Sequence, residues 1–219
     1  MSITKQLQSI KNSLPKNVTL VAVSKTKPIS DLMEAYNAGQ RIFGENKIQE
    51  MVEKHEQMPK DIQWHMIGNV QRNKVKYMAS FVNLIHGVDS LKLLGEINKQ
   101  AIKYHRTIDC LLQIKIAEED TKSGMSIKEA TDLLKSKAYS ECGHVNIIGV
   151  MGMATFTDNQ EQIQKEFKKL KSAFEQLKVI NPELKTISMG MSGDYKLAID
   201  SGSTMVRVGS SIFGNRNYN

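Results

Sequence analysis

Along the chain, short apolar runs rich in Val and Ile alternate with longer stretches whose apolar residues recur every three or four positions. The first pattern fits strands and the second fits amphipathic helices. Candidate strands are VTLVAVS (18–24), RIFGE (41–45), IQWHMI (62–67), FVNLIHGV (81–88), IDCLLQIKI (108–116), VNIIGVMGM (145–153), LKTISM (184–189) and TMVRVG (204–209). Ahead of them, Ile3, Leu7, Ile10 and Leu14 share one helical face. Between strands, Ile29/Leu32/Met33/Tyr36, Leu91/Leu94/Ile97/Ala101 and Ala130/Leu133/Leu134 form further stripes. The last of these is opened by Ser126 and Glu129 at capping-box spacing. In EQIQKEFKKLKSAFEQL, Ile163, Phe167, Leu170, Phe174 and Leu177 make the inward stripe and the lysines lie largely away from it.

Eight strands with seven intervening helical segments, preceded by one helix, predict a single (β/α)8 TIM barrel in preference to a doubly wound open sheet. The 219 residues fall short of the roughly 250 usual for a barrel, so the connections must be lean. Four prolines and 14 glycines are scattered without a linker-like block, and one domain over residues 1–219 is expected.

Charge changes this picture little. The net charge of +7 would admit a nucleic-acid partner, but the lysines are dispersed on helix faces and no recognition motif accompanies them, so no nucleic-acid role is expected. No apolar run has the length of a membrane span, and the N-terminus lacks a signal-peptide centre; a cytoplasmic protein with no membrane partner is the expectation. Cys110 and Cys142 have no metal-type spacing and read as buried thiols.

In such barrels chemistry is built where the strands end at their carboxyl termini. The first strand ends at Ser24-Lys25, the second at Glu45-Asn46, the third at His65 to Gly68, the sixth at Met151 to Ala154, the seventh at Ser188 to Asp194 and the eighth at Arg207 to Ser211. Loops after strands 7 and 8 commonly bind phosphate in this architecture. Here SMGMSGD offers Gly190, Ser192 and Gly193, and RVGSSIFG offers Gly209, Ser210 and Ser211, so a phosphorylated ligand is the leading class; tight turns with helix caps are the plain alternative. Arg207 alternates with Val206 and Val208 and should face the mouth, to pair either with an acid such as Glu45 or with a ligand. Lys25, at the end of the first strand and near cationic groups, would have a lowered pKa and could form a Schiff base with an aldehyde. Lys27 reads as a solvated side chain or an auxiliary phosphate contact, just before Pro28 as a first helical residue. His65 either lines the mouth or is a hydrogen-bonded structural group, and Trp64 should face outward against a helix. No metal-ligand spacing, Ser-His-Asp elbow, dinucleotide glycine fingerprint or P-loop is present.

Taken in order, AVSKTKP, FGENKIQE, WHMIGNVQRNK, IGVMGMA and LKTISMGMSGDYKLAIDSGSTMVRVGSSIFG resemble the pyridoxal 5′-phosphate homeostasis protein family over almost the whole chain. The resemblance implies a barrel of the alanine racemase N-terminal domain type (PLP fold type III), with pyridoxal 5′-phosphate on Lys25 as an internal aldimine. It further implies that Ser192, Gly209 and Ser210 hold the phosphate, that Arg207 faces the pyridine nitrogen, and that Asn46 and His65 lie near the ring. An arginine there keeps its proton and leaves the ring a weak electron sink. No second β domain, of the kind that supplies a racemase with its tyrosine, is expected in these 219 residues. The expectation is therefore a non-catalytic carrier or buffer in vitamin B6 and amino-acid homeostasis. It would be a monomer, with PLP-dependent apoenzymes as recipients. A PLP-dependent amino-acid racemase is the alternative, and a Schiff-base aldolase is a further rival.

Overall fold

The computed structural model describes residues 2–119 and 123–214. Eight strands form the sheet: β1 (Thr19–Val23), β2 (Ile42–Glu45), β3 (Gln63–Met66), β4 (Leu84–Val88), β5 (Ile108–Gln113), β6 (Val145–Met151), β7 (Thr186–Ser188) and β8 (Met205–Val208). Each strand pairs with the next in parallel, and β8 pairs with β1 to close the ring. The helices among the described residues are α1 (Ile3–Ser13), α2 (Ile29–Asn37), α3 (Ile48–Gln57), α4 (Val75–Met78), α5 (Leu91–Lys103), α6 (Ile127–Lys135), α7 (Lys137–Ser140), α8 (Gln160–Ile180), α9 (Tyr195–Asp200) and α10 (Ser210–Phe213). The expected (β/α)8 barrel is therefore present, with every predicted strand in place. Two features exceed the expectation. The β5–β6 connection carries two helices, and the short α10 follows β8.

Alternation along the strands sorts the apolar residues into two shells. Val21, Leu84, Leu111, Met151 and Met205 pack inside the ring. Leu20, Phe43, Trp64, Ile85, Cys110 and Val206 face the helices. Trp64 is wholly buried there, as its outward placement requires. The helices contribute the stripes read from the sequence, including Leu7 and Ile10 of α1 and all five expected residues of α8. Ser126 and Glu129 form the capping box of α6. Pro28 stands one position earlier than expected: it is the N-cap of α2, with ψ 159, rather than its first helical residue. The extended geometry suits a proline, whose missing N–H and fixed φ are harmless before the first turn. Cys110 is buried and Cys142 half-buried; both are free thiols whose pKa burial pushes up.

Candidate cofactor site at the barrel mouth

The inward residues at the carboxyl ends of β3, β4, β7 and β8 are joined by a chain of hydrogen bonds across the mouth. Arg207 Nη1 donates to Ser188 Oγ at 2.6 Å, and its Nη2 donates to the Gly152 carbonyl at 3.2 Å. Ser188 Oγ lies 3.0 Å from His86 Nδ1, and His86 Nε2 lies 3.1 Å from His65 Nδ1. All four side chains are buried.

A guanidinium only donates, so Ser188 Oγ accepts from Arg207. In each of the two histidine contacts of this relay one ring nitrogen is engaged with its neighbour, and the tautomer sets which partner donates. Burial fits neutral rings: it pulls His65 down to about 3, and burial together with His65 and Arg207 holds His86 well below its ordinary value. Burial also lowers Arg207 to about 10, against a smaller upward pull from Asp194, and leaves it charged at neutral pH.

Arg207 makes no ion pair with Glu45, one of the two partners considered from sequence. Glu45 is on the opposite face of the sheet, where its Oε1 accepts from Ser24 Oγ at 2.6 Å and from Lys54 Nζ at 2.8 Å. The alternation that turns Arg207 into the ring turns Glu45 out of it. Among the described residues no carboxylate lies within ion-pair distance of Arg207, so the groups bonded to this desolvated cation are neutral and Asp194 acts on it from farther away.

The two loops expected to hold phosphate do meet. Ser192 Oγ, from the loop after β7, accepts from the Gly209 N–H at 3.1 Å and the Ser211 N–H at 3.5 Å after β8. Ser210, whose side chain is exposed, begins α10 between them. Gly190 is required by both conformation and space: its φ is +94, and a Cβ there would come 2.6 Å from the Ala198 Cβ. Gly209 is a tight approach, where a Cβ would come 3.1 Å from the Val23 carbonyl, and Gly193 has open space around it. Gly209 is thus packed against the last residue of β1, which brings the loop after β8 close to the turn that holds Lys25.

Lys25 is half-buried in the turn after β1. Lys27 Nζ donates to the Phe213 carbonyl at 2.8 Å and ties the turn to the end of α10. Asn46 is half-buried directly after β2, with Gly68 so close that a Cβ would come 2.3 Å from the Asn46 carbonyl. His65 is a buried, hydrogen-bonded member of the relay, as one of its two readings has it. Sequence reasoning missed His86, Lys54 and Glu50. His86 could have been found from LIHGV, where alternation sets it on the same face as Leu84. Lys54 could have been found from its i+3 spacing to Met51 on the buried stripe of α3.

A parallel barrel with a cationic mouth and a Gly/Ser cradle beside a strand-end lysine defines the class. A family model described as "Alanine racemase, N-terminal domain" matches residues 1–217. The chain is similar to a "Pyridoxal phosphate homeostasis protein" of Pasteurella multocida (strain Pm70), 41% identical over 206 residues, which covers 92% of this chain and 88% of that one. A protein of the same name from Haemophilus influenzae is 40% identical over 212 residues, covering 94% and 89%. PipY of Synechococcus elongatus PCC7942, solved with PLP bound, superposes with a TM-score of 0.90 at 34% identity, covering 97% of this chain and all of that one. The chain belongs to the pyridoxal phosphate homeostasis protein family.

Proposed function

We propose that residues 1–219 act as one unit that binds pyridoxal 5′-phosphate as an internal aldimine on Lys25 and carries or buffers it without turnover. The observation that carries this reading is the meeting of Ser192 with the Gly209 and Ser211 N–H groups, packed against β1 just before Lys25. An anion at that cradle would be offered convergent backbone and hydroxyl donors. The cofactor itself supplies an aldehyde, which condenses with a lysine amine and releases water.

The chain's own residues then have separable tasks. Ser192, Gly209 and Ser210 hold the phosphate end. Arg207 donates toward the ring nitrogen and keeps its proton, since its pKa stays far above neutral even after burial. His65 and Asn46 line the ring. The neutral histidines and the arginine leave no acid poised to protonate the ring nitrogen, which restrains carbanion chemistry and favours storage and release over racemisation. PipY's bound PLP and the names of the curated relatives support the same reading. PLP-dependent apoenzymes would be the recipients, and a cytoplasmic monomer suits that exchange. Among the described residues no helix is long and apolar enough to cross a membrane.

The test is Lys25→Ala. Purified wild-type protein should show a visible imine band and, after borohydride reduction, a pyridoxyl mass on Lys25. The variant should lose both and retain weaker binding through the phosphate end. An adduct on another lysine, or none in the wild type, would sink the proposal.

A further inference from the structure

The two peptide groups that bound Lys25 are both held from outside the barrel. The carbonyl before it, on Ser24, accepts from Lys54 Nζ at 2.7 Å and from the Lys27 N–H at 3.1 Å. The N–H after it, on Thr26, donates to the Glu50 carboxylate. Those two peptide planes determine φ and ψ of Lys25, and with them the direction of its Cα–Cβ bond. Fixing both planes therefore aims the side chain.

The holding groups are themselves fixed. Glu50 and Lys54 stand one turn apart on α3 and form an ion pair at 2.7 Å. Lys54 is buried, and its Nζ also binds Glu45, which receives the Ser24 hydroxyl as well. Thr26 has φ 64, a left-handed conformation that a β-branched residue adopts only under constraint. An ionised acceptor on its N–H supplies that constraint, because a charge-assisted hydrogen bond is stronger than a neutral one.

We infer that Glu50 and Lys54 are positioning residues: through the peptides on either side of Lys25 they set the angle at which its amine meets an aldehyde held at the mouth. The inference rests on the proposed covalent linkage and adds to it the part of the molecule that aims the nucleophile. Neither residue touches the ligand. Both act across the sheet from it, so a purely structural ion pair between α3 and the strands is the competing account.

The decisive variant is Glu50→Ala, at a side chain 21% exposed whose loss the fold should tolerate. Two ligands separate aim from binding. With pyridoxal 5′-phosphate, mass spectrometry after borohydride reduction reads the fraction of Lys25 modified; with pyridoxine 5′-phosphate, which has no aldehyde, a titration reads the noncovalent affinity. The adduct equilibrium should fall about tenfold, the size of one lost charged hydrogen bond, while pyridoxine 5′-phosphate binding stays within about twofold. Adding Thr26→Gly to Glu50→Ala should restore most of the adduct, because glycine holds a positive φ without the carboxylate. An unchanged adduct in Glu50→Ala, an equal loss of both ligands, or no recovery in the double variant would each overturn the inference while leaving the linkage to Lys25 standing. A wild-type protein that gives no adduct at Lys25 would remove the linkage, and the inference with it.

Discussion

Two polar clusters lie buried on opposite faces of the same sheet, and they differ in how their charge is compensated. Outside the ring, Lys54 faces two carboxylates, Glu45 and Glu50, and the cluster contains its own counter-ions. Inside, Arg207 is bonded to a serine and a carbonyl, with two neutral imidazoles beyond. Charge removed from water must find a partner or shift its protonation. The outer cluster solves this within the chain and behaves as a brace. The inner one has no carboxylate bonded to its cation, and under the proposed function that charge would meet the ligand. The outer solution has one residue under tension: Glu45 Oε2 is buried without a partner, and burial pushes this carboxyl up to about 7 against the pull of Lys54.

The contrast is broken most severely by Lys54→Met. Among the described residues Lys54 is the only cation bonded to Glu45, and its removal should cost about 3 kcal/mol of folding stability in urea unfolding at pH 8, where the buried Glu45 must lose its counter-ion or take up a proton. The loss should shrink at pH 5, where Glu45 can take up a proton.

Next in size is the pH dependence of the wild type. Glu45 titrates near 7 when folded against 4.5 when exposed, so between those values the native state binds more protons and stability falls as pH rises, by up to about 3 kcal/mol. His65 runs the other way. Its folded value near 3 lies below its ordinary 6.5, so the unfolded chain binds more protons and stability falls as pH drops below 6.5. The two trends offset each other between 4.5 and 6.5. Urea titrations across this range should show Glu45→Gln exposing a stability that climbs with pH by up to about 1.4 kcal/mol per unit for each of the two buried imidazoles. His86→Gln, which leaves Glu45 and His65 to offset each other, should flatten the profile instead.

Arg207→Met sharpens the comparison from the other side. Affinity for pyridoxal 5′-phosphate should fall about tenfold, while stability is unchanged or higher because a desolvated cation has been replaced by an apolar chain. The smallest effect is expected of Ser192→Ala. It removes the hydroxyl between the Gly209 and Ser211 N–H groups, and should weaken binding about threefold with a stability change below about 1 kcal/mol in the same assays.

The barrel was legible because its signal is repeated. Each strand is a short apolar run bounded by polar residues, and an error at one end, such as 184–189 for Thr186–Ser188, does not disturb the ring. The Gly/Ser loops after β7 and β8 were legible for the same local reason. The relay was half-legible: Arg207 and His65 stand at strand ends, but the bonds through His86 and Ser188 join residues 102 positions apart, and no local pattern records such a distance. The brace on α3 was hidden by its composition. Glu50 and Lys54 have the i,i+4 spacing of an ordinary solvated helix pair, and only the packing of α3 against the sheet turns that lysine into a buried group. The mistaken option for Arg207, an ion pair with Glu45, came from treating two strand ends as one place when alternation assigns them to opposite faces.

Going round the ring, every neighbouring pair of strands is joined by continuous chain except β8 and β1, which among the described residues meet through strand hydrogen bonds, the packing of α1 on α10 and the Lys27 contact to Phe213. That seam is where the first and last thirds of the polypeptide are stitched together, and it is flanked by Lys25 on one edge and Gly209 on the other. A molecule gripped by both edges would act as a fastener between the two termini of the barrel. Loading the protein would then do more than fill a cavity: it would lock the one joint that the backbone itself leaves unsewn.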